Sequence, residues 1–140
     1  MNAIEKFYKV VDSHHQYAKE WKKRKDNRVI GYFCTYTPEE IPYAAGMLPV
    51  RIIGSHEVQS MTEPHMYNWF CPFSRDCLSQ GLKGIYDYLD GIMMGHGCMH
   101  MKHCFDSWEK HVTISYSRDI YIPRNVKSRY AKSCFVQELI

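Results

Sequence analysis

The chain has 140 residues, 45% of them hydrophobic, which suffices for one globular core and leaves too little for two independent ones. No apolar run of about eighteen residues occurs, so no helix is expected to cross a membrane. The net charge of +3 excludes a strongly basic nucleic-acid binder. Much of it sits in Lys22, Lys23, Arg24 and Lys25, at the end of a predicted helix, where cations suit the negative pole of the dipole.

In chain order, Ile4, Phe7, Tyr8, Val11, Tyr17, Ala18 and Trp21 fall near one face of a helix that Asp26-Asn27 breaks. Residues 28–34 (Arg-Val-Ile-Gly-Tyr-Phe-Cys) are apolar on both faces, as in a buried strand. Thr37-Pro38-Glu39-Glu40 then predicts a helix start, with a hydroxyl at the N-cap, proline at the first helical position and acids in the first turn. That helix is expected to end at Gly46. A second strand is expected over 49–54, followed by a loop over 55–68 with room for one helical turn. Leu78, Leu82, Ile85, Tyr86 and Leu89 predict an amphipathic helix from Ser74 to Asp90-Gly91. Ile92-Met93-Met94 reads as a third strand. Phe105, Trp108 and Val112 mark another helix, 118–123 a fourth strand, and the last residues a final helix. Strands alternating with helices imply a mostly parallel sheet covered on both faces, with ligands beyond the carboxyl ends of the strands.

Residues Met1 to Phe7 show no basic segment followed by an apolar stretch, so the cytoplasm is the expected compartment. Six cysteines in a reducing compartment point to metal ligation or redox chemistry rather than to disulfides. Cys71 precedes Pro72 at the expected start of a helix, where free amides and the positive dipole end suit a thiolate. A buried structural cysteine is the alternative for it. The segment Gly95-His96-Gly97-Cys98-Met99-His100-Met101-Lys102-His103-Cys104 holds ligand types for zinc or copper at His96, Cys98, His100, His103 and Cys104, although its spacing matches no familiar zinc finger. Met99 and Met101 also serve as packing residues. Glu39 and Glu40 could work as general acid or base, or simply stabilise the first turn of their helix. No Walker loop, dinucleotide fingerprint or nucleophile elbow is present.

Together these segments resemble one family. Gly31-Tyr32-Phe33-Cys34-Thr35-Tyr36-Thr37-Pro38-Glu39-Glu40 through Ala44-Ala45-Gly46, then Cys71-Pro72-Phe73-Ser74-Arg75, then Leu89-Asp90-Gly91-Ile92-Met93-Met94-Gly95-His96-Gly97-Cys98, are similar, in order, to subunits of benzoyl-CoA reductases and 2-hydroxyacyl-CoA dehydratases. The run from Ile122-Pro123 to Leu139 is similar as well. The resemblance implies a flavodoxin-like, three-layer α/β domain over 1–140, the N-terminal portion of a larger two-domain subunit. It also implies a [4Fe-4S] cluster held by cysteine thiolates, one iron open to other ligands, and electrons delivered to a CoA thioester by an ATP-dependent activator. A homologous cluster-bearing subunit is the implied partner. Carried onto this chain, Cys71 and Cys98 are the ligands and Cys104, before Phe105-Asp106-Ser107-Trp108, is the reserve. Glu40, and more weakly Thr37, are placed near the substrate. Cys34, Cys77 and Cys134 are taken as structural. The family's third cluster cysteine belongs to a C-terminal domain beyond this sequence. The aromatic-ring reductase branch is expected; the dehydratase branch, a zinc or copper module, and a half that only pairs with another subunit are the alternatives.

Overall fold

The computed structural model describes residues 2–140. Four parallel strands, β1 (Val29–Tyr32), β2 (Leu48–Arg51), β3 (Gly91–Gly95) and β4 (Tyr116–Ile120), lie in the order β2-β1-β3-β4. Register is set by pairs such as Ile30↔Pro49, Ile30↔Gly91 and Gly91↔Tyr116. Five helices alternate with them: α1 (Ala3–Lys22), α2 (Glu40–Ala44), α3 (Pro72–Leu82), α4 (Met99–His111) and α5 (Ala131–Leu139). This is the alternation expected from the sequence, and the strand order is that of a flavodoxin-like doubly wound sheet. The helical turn allowed for in the long loop is a single 3-10 turn at Ser60–Thr62. Among the described residues, no helix is long and apolar enough to cross a membrane.

The inner strands are apolar on both faces, and alternate side chains serve different layers. Val29, Ile92 and Met94 point into the larger core, where Leu78 of α3 and Phe105 and Trp108 of α4 cover them. Phe33 stands edge-on to Trp108 with ring centroids 5.3 Å apart. Gly81 lets α3 reach the Trp108 indole, because a Cβ there would come within 2.5 Å of the ring. Burying side chains of this size contributes roughly 1.5–3 kcal/mol each. On the opposite face Ile30, Met93 and Ile120 are covered by Met47, just after α2, and Phe135 of α5. Three layers result, one of them thin.

Helix α1 opens with a reciprocal cap: the Glu5 amide donates to Asn2 Oδ1 and the Asn2 amide to Glu5 Oε2. Of its expected apolar face only Ala18 is buried and Trp21 packed against the core; Ile4, Phe7, Tyr8, Val11 and Tyr17 are exposed. Polar contacts add to the docking of α1. His15 Nδ1 meets the Tyr88 hydroxyl at 2.9 Å, and Lys22 bonds the Tyr88 carbonyl. Burial, with His14 and Lys19 nearby, pushes the His15 pKa down to about 4.

Two helix boundaries differ from the sequence-based expectation. Helix α2 begins at Glu40, with Glu39 at its N-cap and no side-chain cap. Thr37 has a tertiary partner instead: its buried hydroxyl oxygen accepts from the Gly95 amide at 2.8 Å. Helix α3 stops at Leu82 rather than running to Leu89, because Gly84 adopts a left-handed φ of 74° that turns the chain. Tyr86 and Leu89 reach the core from that turn. The fourth strand also starts two residues earlier than expected, at Tyr116.

Candidate cysteine-lined site

The chain leaves β1 toward β2 on one side and returns to β3 on the other, so the carboxyl ends of β1 and β3 flank the topological switch point. The backbone is held tightly there. Phe33 donates to the Met93 carbonyl beyond the ladder, Thr37 closes a turn onto the Cys34 carbonyl, and the Thr37 hydroxyl receives the Gly95 amide. Gly95 is needed for this approach, since a Cβ would lie 3.0 Å from the Thr37 nitrogen and 2.6 Å from Ile122.

A cavity of about 420 Å³ opens at this point, and Cys34, Cys71 and Cys98 all line it, with Arg51, Tyr36 and His100 among the other walls. Each sulfur arrives by a different route. Cys34 follows β1 directly. Cys71 is the N-cap of α3, with Pro72 at the first helical position. Cys98 is the N-cap of α4. Neither N-cap side chain makes a capping bond, so both thiols are free for other partners while two positive helix poles face the cavity. The two helix starts are tied together, because the Cys71 amide donates to His100 Nδ1 at 2.9 Å. That bond places the neutral His100 proton on Nε2. Arg51, at the end of β2, adds a guanidinium to the wall.

The remaining cysteines are elsewhere. Cys77 of α3 and Cys104 of α4 are fully buried in the larger core. Burial, with Asp76 nearby, pushes the Cys77 thiol up to about 12, and burial pushes the Cys104 thiol well above its usual value. Cys77, expected to be structural, lies in the core. Cys104, the reserve ligand, faces the core and not the cavity, because it lies on the inward face of α4. Cys34, taken as structural, lines the cavity, and Cys134 is exposed on α5. Glu40 is exposed in the first turn of α2 and is not among the cavity-lining residues. Burial, with the neighbouring Glu39 carboxylate, pushes the Tyr32 phenol up to about 12.

The zinc or copper set does not gather. His96 Nδ1 pairs with Asp119 Oδ2 at 3.3 Å, His103 packs edge-on to Phe70, His100 is bonded by the Cys71 amide, and Cys104 is in the core. Among the described residues, no three His, Cys, Asp or Glu side chains converge as a single metal ion would require. A mononuclear zinc needs its sulfurs about 2.3 Å from one point. A cluster spreads its thiolates over separate irons and so tolerates ligands distributed around a cavity. The Cys71 and Cys98 thiols at the two helix starts, with Arg51 in the wall, are donor and charge types suited to such an anionic group.

Strand order and site together define a doubly wound α/β domain with a thiol-lined pocket at its switch point. The family model for the 2-hydroxyglutaryl-CoA dehydratase D-component matches residues 34–140, and the chain belongs to that family. It is 28% identical over 126 residues to the (R)-phenyllactyl-CoA dehydratase beta subunit of Clostridium sporogenes, covering 90% of this chain and 34% of that protein. It is 27% identical over 125 residues to one of the subunits of benzoyl-CoA reductase from Thauera aromatica, covering 87% and 32%. With the (R)-2-hydroxyglutaryl-CoA dehydratase beta subunit of Acidaminococcus fermentans it shares 33% over 91 residues, covering 64% and 24%. The chain thus spans about a third or less of the length of these relatives.

Cys34 and Arg51 line the cavity without having been singled out for it in the sequence. The signal for Cys34 was present, since a cysteine closing the first strand of a doubly wound sheet sits at the rim where ligands collect.

Proposed function

We propose that this chain is an iron–sulfur subunit in which Cys71 and Cys98 ligate a [4Fe-4S] cluster, working in an enzyme complex that passes low-potential electrons to a CoA thioester. The observation that carries the reading is the pair of cysteine N-caps of α3 and α4 on one cavity at the switch point. When bound, such a cluster supplies one-electron chemistry at a potential tuned by thiolate charge, hydrogen bonds and burial. The chain's own residues then have plain tasks. The α3 and α4 amide ends and Arg51 offset negative charge, the His100 contact fixes the two helix starts, and Thr37 holds the β1 and β3 loops together.

The relatives divide between a reductase subunit and dehydratase subunits at nearly equal identity. We place the chain first in the benzoyl-CoA reductase branch, on the histidine- and methionine-rich run from Gly95 to Met101, and second in the 2-hydroxyacyl-CoA dehydratase branch. A homologous subunit is the proposed partner, with an ATP-dependent activator as electron donor. Tyr36 and Phe73, exposed on the cavity wall, support a second body closing over it. Glu40 is proposed as an acid presented to that closing side.

Anaerobic reconstitution with ferrous iron and sulfide tests the reading. About four irons and a broad visible absorption that bleaches on reduction are expected. A chain that takes up no iron overturns it.

A further inference from the structure

We propose that a second cavity, beside Tyr36 and the basic loop that follows β4, receives the phosphate-bearing end of the CoA thioester, with Arg124 as its anchor. The inference rests on the CoA-thioester reading above and adds to it a subsite built on residues outside the Cys71–Cys98 pair.

Charge is the first argument. Residues 120–137 carry Arg124, Lys127, Arg129 and Lys132 and no acidic side chain. Arg124 and Lys127 are exposed, and among the described residues neither has a carboxylate within ion-pair distance. The basic run at the end of α1 is different: Lys22 pairs with Asp90, and Arg24 lies over the Trp21 ring. Helix stability does not account for the later cations either, since Lys132 occupies the first turn of α5, the end that favours acids.

Place is the second. A cavity of about 470 Å³ has Arg124 in its wall, with Gly97, Ile122 and Tyr36. Tyr36 is also a wall of the cysteine cavity. Gly97 lies where the two meet, because a Cβ there would stand 3.6 Å from the Tyr36 ring and 3.9 Å from Cys34 Sγ. The chain leading to Arg124 is fixed to the end of β3. The His96 amide donates to the Ile120 carbonyl at 2.8 Å, and Ile122 packs over Gly95, where a Cβ would come within 2.6 Å of it.

Ligand chemistry is the third. A CoA thioester joins its acyl group to a polyanionic nucleotide through a long flexible arm, so the phosphates must lie outside a cavity that holds the acyl end. Within the cysteine cavity the one guanidinium is Arg51, which the reading above commits to the cluster. The cavity on the other flank, sharing Phe73, presents the Asp76 carboxylate and would repel phosphates. The Arg124 side offers the matching sign, with a guanidinium for paired phosphate oxygens and the Lys127 ammonium as a nearby point charge. No bond is made or broken there; Arg124 is a positioning residue.

The test is calorimetric binding of acetyl-CoA, which has no free thiol to meet iron, to the apo and the anaerobically reconstituted chain. The wild type is expected to bind it, less tightly as salt rises. Arg124→Ala should weaken binding about tenfold, Lys127→Ala should weaken it less, Arg124→Lys should recover part of the loss, and Arg24→Ala should leave it unchanged. Iron uptake and circular dichroism should stay at the wild-type level in all four variants. A wild-type affinity in Arg124→Ala, or a wild-type chain that takes up iron and does not bind acetyl-CoA, overturns the subsite and leaves the iron–sulfur reading standing. Pyrophosphate bound as tightly as acetyl-CoA makes this a general anion site and overturns the assignment. A chain that binds acetyl-CoA through Arg124 and takes up no iron keeps the subsite and overturns the cluster.

Discussion

The molecule holds two groups of cysteines within a few residues of one another, and they have opposite surroundings. Cys71 and Cys77 belong to the start and interior of α3, Cys98 and Cys104 to the start and interior of α4. In each helix the N-cap thiol faces the cavity, while the thiol six residues later lies in the core with a raised pKa. An N-cap side chain projects past the helix end toward the unpaired amides, whereas six residues on the inward face is pressed against the sheet. The element and the spacing are shared, and the position within the helix decides whether a sulfur is a ligand candidate or a small apolar filler.

Substitutions can break this contrast. The largest expected effect is on iron content: Cys71→Ser and Cys98→Ser should each remove most of the iron taken up by the wild type, with little change in the urea midpoint. Retention of wild-type iron in either would undo the distinction. Cys104→Ser should do the reverse. It buries a hydroxyl among Leu78, Phe105 and their neighbours, at a cost of about 1–3 kcal/mol in urea unfolding, and leaves iron per folded chain unchanged.

A comparable stability loss, about 1–3 kcal/mol, is expected for Thr37→Val, which strands the buried Gly95 amide. Iron content should fall with it, because the cavity loops lose their brace; a drop in stability without a drop in iron would separate the brace from the site. A smaller, pH-dependent effect belongs to His15. Its folded pKa of about 4 lies below the unfolded value of 6.5, so the unfolded chain binds more protons in that window. Its contribution is complete above the unfolded value and is lost as pH falls from 6.5 toward 4. His15→Gln should therefore flatten the dependence of the urea midpoint between pH 7 and pH 5, and an unchanged slope would assign that dependence to other groups. The smallest effect is expected for Glu40→Gln, which should change neither iron nor stability, since the side chain is exposed and away from the cavity wall.

Much of the architecture was legible because hydrophobic period and turn residues agree along the chain. Strands β1 and β3 are apolar runs bounded by polar or glycine-containing turns, and the alternation with helices implied a parallel sheet. Cys71 could be placed at a helix start because proline follows it. What stayed hidden depends on contacts distant in sequence. Thr37 has the signature of an N-cap, yet its hydroxyl serves Gly95 across the sheet, so α2 starts two residues later. Ile85, Tyr86 and Leu89 continue the helical period of α3, yet Gly84 reverses the chain and they are delivered from a turn. Cys34 looked like a packing residue until strand order showed that β1 is central. Local pattern does not encode strand order.

The strand order also dictates when the pocket can exist. Its sulfurs enter after β1, ahead of α3 and after β3, so two crossovers must be complete before they become neighbours. No shorter peptide of this chain brings all of them to one place. The pocket therefore forms only in a chain whose β3 has already docked beside β1, which makes the long-range parallel pairing, the slow kind of folding event, the step that completes it.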